Sequence, residues 1–174
     1  MNQIENQLSQ IDHFQFIHEH LFISSQPTLE QLRLIKSYGI GQVINIGLSN
    51  AQSILLHEDV ECTRLGLNYI QMPISFEMPS VEQCILVLDM MDYLVKEQSV
   101  WLHCNQGYKS NCLVSLYRQY YLDVDMPTAY EQLHAVWEPN ETWTGLMHAV
   151  ALQLQGRKAT QELQVSLLRT DHFV

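Results

Sequence analysis

The stretch Ser99-Val100-Trp101-Leu102-His103-Cys104-Asn105-Gln106-Gly107-Tyr108-Lys109-Ser110 decides the fold. An apolar run of strand length stops at Cys104, passes through a turn holding one glycine, and continues into a helical pattern. The N–H groups of such a turn and of the first helical residues have no partner inside the helix. They converge on any tetrahedral oxyanion placed there, and the helix dipole assists them. Gly107 lets the backbone approach the anion closely. The positive end of a helix also favours the thiolate of a cysteine beside it, the nucleophilic form, and Cys104 stands at that place. Lys109 is the only fixed positive charge of the loop, and Ser110 can hydrogen-bond the sulfur. Asn105, Gln106, Gly107, Tyr108 and Lys109 are therefore the expected phosphate-binding positions, with Cys104, Lys109 and Ser110 carrying the chemistry.

Outward from this loop, the chain alternates strand-like and helix-like segments. Residues 14–24 alternate apolar and polar side chains and read as two short strands able to form a hairpin, with His18 and His20 on one face. Gln26-Pro27-Thr28 stops them, and Thr28 with Gln31 three residues on is a capping box opening a helix that ends at Gly39. Residues 41–46 read as a buried parallel strand, 53–64 as a helix and 68–74 as the next strand. Pro79-Ser80 opens a helix with Ile85, Leu86, Leu88, Met91 and Leu94 at helical spacing. Beyond the cysteine loop, helices are expected over 111–122, 128–137 and 141–154, the last two separated by Glu138-Pro139-Asn140. This alternation predicts an α/β fold with a mainly parallel central sheet of four to five strands, helices on both faces, and ligands beyond the carboxyl ends of the strands. No repeat or Gly/Pro/Ser-rich linker divides the chain.

Composition bounds the function. A chain of 174 residues with 47% hydrophobic and only 16% charged residues can bury one full core. Four cysteines (Cys62, Cys84, Cys104, Cys112) without paired CxxC spacing fit a reducing compartment, and Cys62, Cys84 and Cys112 read as small core residues. Cys112 could alternatively serve as a redox partner of Cys104. The polar first ten residues do not read as an export leader, and no apolar run approaches the ~18 residues of a membrane span, so a cytoplasmic, non-membrane protein is expected. A net charge of −10 repels polyphosphate backbones and argues against nucleic acid as partner. His18 and His20 flank Glu19, but no further ligand cluster accompanies them, so no metal site is expected and the histidines read as structural.

The run HCNQGYKS (103–110) resembles the signature loop of cysteine-dependent phosphatases, in which His-Cys is followed by a glycine, an arginine and a hydroxyl residue. The segment LFISSQPTLEQLRLIKSYGIGQVINIGL (21–48) is similar to the opening of the bacterial tyrosine-phosphatase-like family, a dual-specificity-phosphatase-like group also found fused to metallo-β-lactamase-like hydrolases. The resemblance covers roughly residues 20 to 155. It implies a phosphatase-like domain over 1–155 followed by a C-terminal helical extension over 156–174. It also implies hydrolysis of phosphate monoesters on a phosphorylated protein or small metabolite, a phosphocysteine intermediate on Cys104, and no metal or organic cofactor.

Two departures from the family pattern stand out. The spacing from Cys104 to the basic residue is one shorter than in most tyrosine phosphatases, though similar to the bacterial family. The basic residue is Lys109 where the family has arginine, and an ammonium cannot grip two phosphoryl oxygens as a planar guanidinium does. A loss comparable to one oxyanion donor corresponds to about 10²- to 10³-fold in turnover. For the general acid, Glu77 is the only acidic residue between Gly66 and Ser80, in the loop where related phosphatases place an aspartate. Glu138 and Asn140 are alternatives by the same resemblance, with a leaving-group or water-positioning role, and His103 is expected to support the loop from the side away from the ligand. Two other functions stay open: a weak pseudophosphatase that binds a phosphorylated partner or anion, and a rhodanese-like sulfurtransferase, whose cysteine loop is similar but whose other landmarks are missing.

Overall fold

The computed structural model describes residues 3–49 and 55–170. Its elements are α1 (Gln3–Leu8), β1 (Gln15–His18), β2 (Leu21–Ser24), α2 (Leu29–Tyr38), β3 (Gln42–Asn45), α3 (Glu58–Arg64), β4 (Asn68–Gln71), α4 (Val81–Leu94), β5 (Val100–His103), α5 (Tyr108–Tyr120), α6 (Met126–His134) and α7 (Glu141–Thr170). The five strands form one sheet in the order β1-β2-β5-β3-β4. β5 lies at its centre, parallel to β2 and β3, and β4 is parallel to β3; only β1 runs antiparallel, paired with β2. The strand feeding the cysteine loop is thus hydrogen-bonded on both sides, with every residue buried.

Alternation along β5 splits the core in two, because successive side chains leave opposite faces of a sheet. Val100 and Leu102 join the larger cluster, built with Leu88 and Met91 of α4, Leu113 and Leu116 of α5, and Val150 of α7. Trp101 goes to the other face, among Leu8, Phe22, Leu32, Ile35, Val43 and Cys62. There it stacks on Phe22 with ring centroids 5.8 Å apart, and its indole N–H donates to Ser24 Oγ at 2.9 Å. Helices therefore cover both faces, as the alternation requires.

Local chemistry sets the helix ends. Thr28 and Gln31 form the reciprocal capping box of α2, and Gly39 closes that helix in the left-handed region. Ser80 caps α4 and Asp125 caps α6.

Several boundaries differ from the sequence reading. α5 begins at Tyr108, three residues before 111, because Gly107 supplies the left-handed turn that lets the helix start at once. The helix expected from Ser53 starts at Glu58; residues 53 and 54 lie outside the described residues. α1 was not expected from its polar sequence, yet Leu8 and Ile11 are buried near α2. The segment after Gly156 is the distal part of α7, which runs from Glu141 to Thr170 without a break. Among the described residues no helix is long and apolar enough to cross a membrane.

Thr28→Ala removes one cap and is expected to cost about 1 kcal/mol. Trp101→Ala leaves a cavity and removes the indole donor to Ser24 Oγ, for about 3–5 kcal/mol. Urea denaturation of the two variants measures both, and equal losses would contradict the central position of Trp101.

Candidate active site

The loop between β5 and α5 owes its shape to what its carbonyls touch. Asn105 O accepts from the Gln26 amide at 3.2 Å. Gln106 O lies 2.7 Å from His13 Nδ1, which must be the donor because a carbonyl can only accept. Gly107 O accepts from Ser110 Oγ at 2.9 Å and from Asn111 Nδ2 at 2.8 Å. In a trans peptide the C=O and the following N–H point in opposite directions, so tying three successive carbonyls outward turns the next amides the other way. Among the described residues, none of the backbone N–H groups of residues 105–110 has an acceptor. Six donors and the N-terminus of a 13-residue helix are thus left for a ligand.

Two glycines make room for this arrangement. Gly107 has φ +82°, and a Cβ there would stand 2.8 Å from His13 Cβ. A Cβ on Gly47 would meet Asn105 Oδ1 at 2.6 Å. That close approach lets the Asn105 amide lock onto residue 48, accepting from Leu48 N at 3.1 Å and donating to Leu48 O at 3.0 Å.

Cys104 is buried at the base of the loop, its Sγ 3.6 Å from Ser110 Oγ. The Ser110 hydroxyl is held beneath it between Gly107 O and Ser24 O, the latter at 3.4 Å. Lys109 is also buried, and its Nζ donates to Ile74 O at 2.6 Å. Burial lowers the Lys109 pKa, against the opposing pull of Cys104, Glu77 and Cys84. The ammonium therefore lies in the field of both the sulfur and Glu77 while tethered to the backbone of the Glu77 loop.

Glu77 itself is exposed, with Oε2 3.4 Å from Ser75 Oγ. Its loop is fixed at Ile74 O by Lys109 and at Phe76 O by Trp143 Nε1 (2.9 Å), and Ser75 Oγ accepts from Met78 N at 3.0 Å. A row of rings links the two loops: Tyr108 against His13 (5.5 Å) and Trp137 (4.9 Å), and Trp137 against Phe76 (6.0 Å).

The other expected residues fall elsewhere. Glu138 meets His134 Nδ1 at 2.6 Å in solvent, and Asn140 Oδ1 accepts from Trp143 N at 3.0 Å as a cap of α7. Neither makes a hydrogen bond or ion pair with the cysteine loop among the described residues. His103 meets a carboxylate rather than loop backbone: Nε2 lies 2.7 Å from Glu58 Oε1, both side chains being buried. Glu58 Oε2 in turn accepts from Asn45 Nδ2 at 2.9 Å and Gln26 Nε2 at 3.2 Å, with the Tyr69 hydroxyl at 3.4 Å. Burial first, and Glu58 second, push the Cys62 thiol up to about 12 and raise Tyr69 as well. Burial also pushes Cys84 up to about 12 and raises Cys112, so both are thiols at neutral pH. Sequence reasoning missed His13, Gly47, Asn45 and Glu58, since nothing local marks residues that act across the sheet.

Gly107→Ala is expected to destabilise the protein more than Gly39→Ala. Both positions are left-handed, costing about 1–2 kcal/mol for a Cβ, but only at residue 107 does that Cβ also meet His13. Thermal unfolding compares them, and a larger loss at Gly39 would contradict the close approach.

No family model matches the chain, and no curated protein matches it. Solved structures do. A DUF442 protein from Shewanella putrefaciens CN-32, named as a candidate phosphatase, superposes with a TM-score of 0.76 at 24% identity, covering 87% of this chain and 99% of its own. PTPMT1 gives 0.71 at 15% identity over 84% and 99% of the two chains. TpbA from P. aeruginosa gives 0.66 at 13% identity over 82% and 90%, and a cysteine-to-serine form of TpbA is known in complex with pTyr. At these identities the likeness speaks for architecture, and it agrees with the α/β layout and central parallel sheet: the chain has the fold of the protein tyrosine and dual-specificity phosphatases.

Proposed function

We propose that the protein is a cysteine-dependent phosphate monoester hydrolase. The observation carrying this reading is the loop of outward-tied carbonyls and unpartnered amides, which starts at Cys104 and ends in the first turn of α5. The fold shared with phosphatases supports it.

In this mechanism the amides of residues 105–110 hold the phosphoryl oxygens, and the Cys104 thiolate attacks phosphorus in line with the leaving oxygen. The S–P bond forms as the P–O bond to the leaving group breaks, and the departing oxygen takes a proton from Glu77. Water then attacks the phosphocysteine and passes a proton back to Glu77. The S–P electron pair returns to sulfur, where the Ser110 hydroxyl, 3.6 Å away, receives the developing charge. Lys109 supplies positive charge beside the sulfur without the bidentate grip of an arginine, so turnover is slow relative to an arginine-bearing loop. The substrate is a phosphorylated protein or a small phosphorylated metabolite, and the neighbour that binds pTyr makes an aryl phosphate the first to try.

The buried tether of Lys109 to Ile74 O favours one second reading, in which the loop binds a phosphorylated partner without turning it over. A rhodanese-like activity draws no support from the fold.

Hydrolysis of p-nitrophenyl phosphate separates these readings. Cys104→Ser is expected to abolish it while vanadate or phosphate still binds. Lys109→Arg is expected to raise turnover or tighten vanadate, by at most about 10²- to 10³-fold. No hydrolysis even by Lys109→Arg, with vanadate still bound, selects the binding protein; persulfide transfer from thiosulfate selects the sulfurtransferase. Glu77→Gln is expected to lower kcat about 10²-fold on alkyl phosphates and much less on p-nitrophenyl phosphate, whose leaving group needs no proton. Equal losses on both would remove Glu77 from the acid role.

A further inference from the structure

The distal half of α7 leaves the domain behind. Trp143, Leu146, Met147, Val150 and Leu154 of this helix are buried against the core, but from Gln155 to Leu168 every residue is exposed. Arg157 and Lys158 still turn back to the domain, where they meet Asp89 (2.8 Å) and Asp123 (2.5 Å).

The opposite face carries a different pattern. Gly145, Ala149, Leu152, Gly156, Ala159, Leu163 and Leu167 follow one another at steps of 4, 3, 4, 3, 4 and 4, so they form a single stripe along the helix. Leu152, Leu163 and Leu167 are 69%, 61% and 58% exposed, and a Cβ on Gly145 or Gly156 would meet nothing within 4 Å. Between Thr142 and Leu168 the helix has only three charged residues, Arg157, Lys158 and Glu162, and none lies on the stripe. Val165 and Leu168 stand on the other side of the helix, past the end of the domain.

The stripe is complementary to itself when reversed. Laid antiparallel on a copy crossing at Gly156, Leu163 falls opposite Ala149 and Leu167 opposite Gly145, Leu152 comes within one residue of Ala159 beside Thr160, and the two Gly156 residues meet at the centre. Each leucine thus finds a small residue, the large-to-small pairing that lets side chains of facing helices interdigitate. A two-fold interface requires this relation between a surface and itself. A partner of different sequence gives no reason for the leucines and small residues to be arranged symmetrically about one glycine. The stripe is also the place where two molecules of net charge −10 can meet without opposing charges of like sign.

We infer that the protein associates with a second copy of itself through an antiparallel pairing of α7. The 25 residues from Thr144 to Leu168 that face one another in this register span about 37 Å at 1.5 Å per residue. A seam of that length about 10 Å wide buries roughly 800 Å² over both partners, below the ~1,200 Å² where stable interfaces begin, so the dimer is weak and concentration-dependent.

Sedimentation equilibrium of the full chain over a range of concentrations is expected to show reversible monomer–dimer exchange. Leu163→Glu should weaken it at least about tenfold, since symmetry places the substitution in the seam twice. Its circular dichroism and melting at dilute concentration should match the unchanged chain, because residue 163 is outside the core. Geometry is read by cross-linking: Gly156→Cys alone should form an intermolecular disulfide under mild oxidation, as should Ala149→Cys mixed with Leu163→Cys, whereas Leu163→Cys alone should not. A monomer at every concentration overturns the inference, as does a dimer that Leu163→Glu leaves intact or one that cross-links at Leu163→Cys alone.

Discussion

The candidate site depends on the outward hold on three carbonyls. Peptide planarity couples each carbonyl to the amide after it, so Gln26, His13, Ser110 and Asn111 decide where the amides of Gln106, Gly107 and Tyr108 point. Those four residues come from the segment before β1, the end of β2 and α5. The cradle is therefore a product of the whole fold rather than of the loop. If β2 and β5 were not paired in register, Gln26 would not reach Asn105, and the loop would have no reason to prefer this conformation over one that satisfies its amides internally.

Much of this was readable beforehand, for identifiable reasons. The capping box at Thr28 and Gln31 and the apolar run of β5 are local signals whose physics operates within a few residues, and the structure contains both. The placement of Cys104 at a strand end followed from the same run. What could not be read is what acts at a distance. His13 meets Gln106 across 93 residues and Lys109 meets Ile74 across 35, and no periodicity encodes such encounters. Glu58 lies in a segment whose charged residues suggest a solvated helix, yet it is buried beneath four polar partners. α7 was expected to end near Leu154 because the core-facing apolar pattern ends there; the helix continues because nothing after Leu154 is a strong breaker, and Gly156 alone is a weak one.

Lys109 and Glu58 represent opposite ways of keeping a charge inside a protein. Glu58 accepts at Oε2 from Asn45, Gln26 and Tyr69, and its Oε1 lies 2.7 Å from His103 Nε2, so its burial is largely compensated by contacts. Lys109 has one carbonyl and the field of Cys104 and Glu77, and burial lowers its pKa. A guanidinium has five donors to distribute and would be harder to satisfy with the single carbonyl of Ile74. The lysine thus links two loops through Ile74 O while keeping its charge in the field of Cys104.

That link, together with the indole of Trp143 on Phe76 O, anchors the segment bearing Glu77 at two points within three residues. A segment already held this way has little conformational freedom left to surrender when a ligand arrives. Recognition at such a place resembles entry into a fixed mould, where affinity is governed by the fit of the incoming group and hardly at all by the ordering of the host.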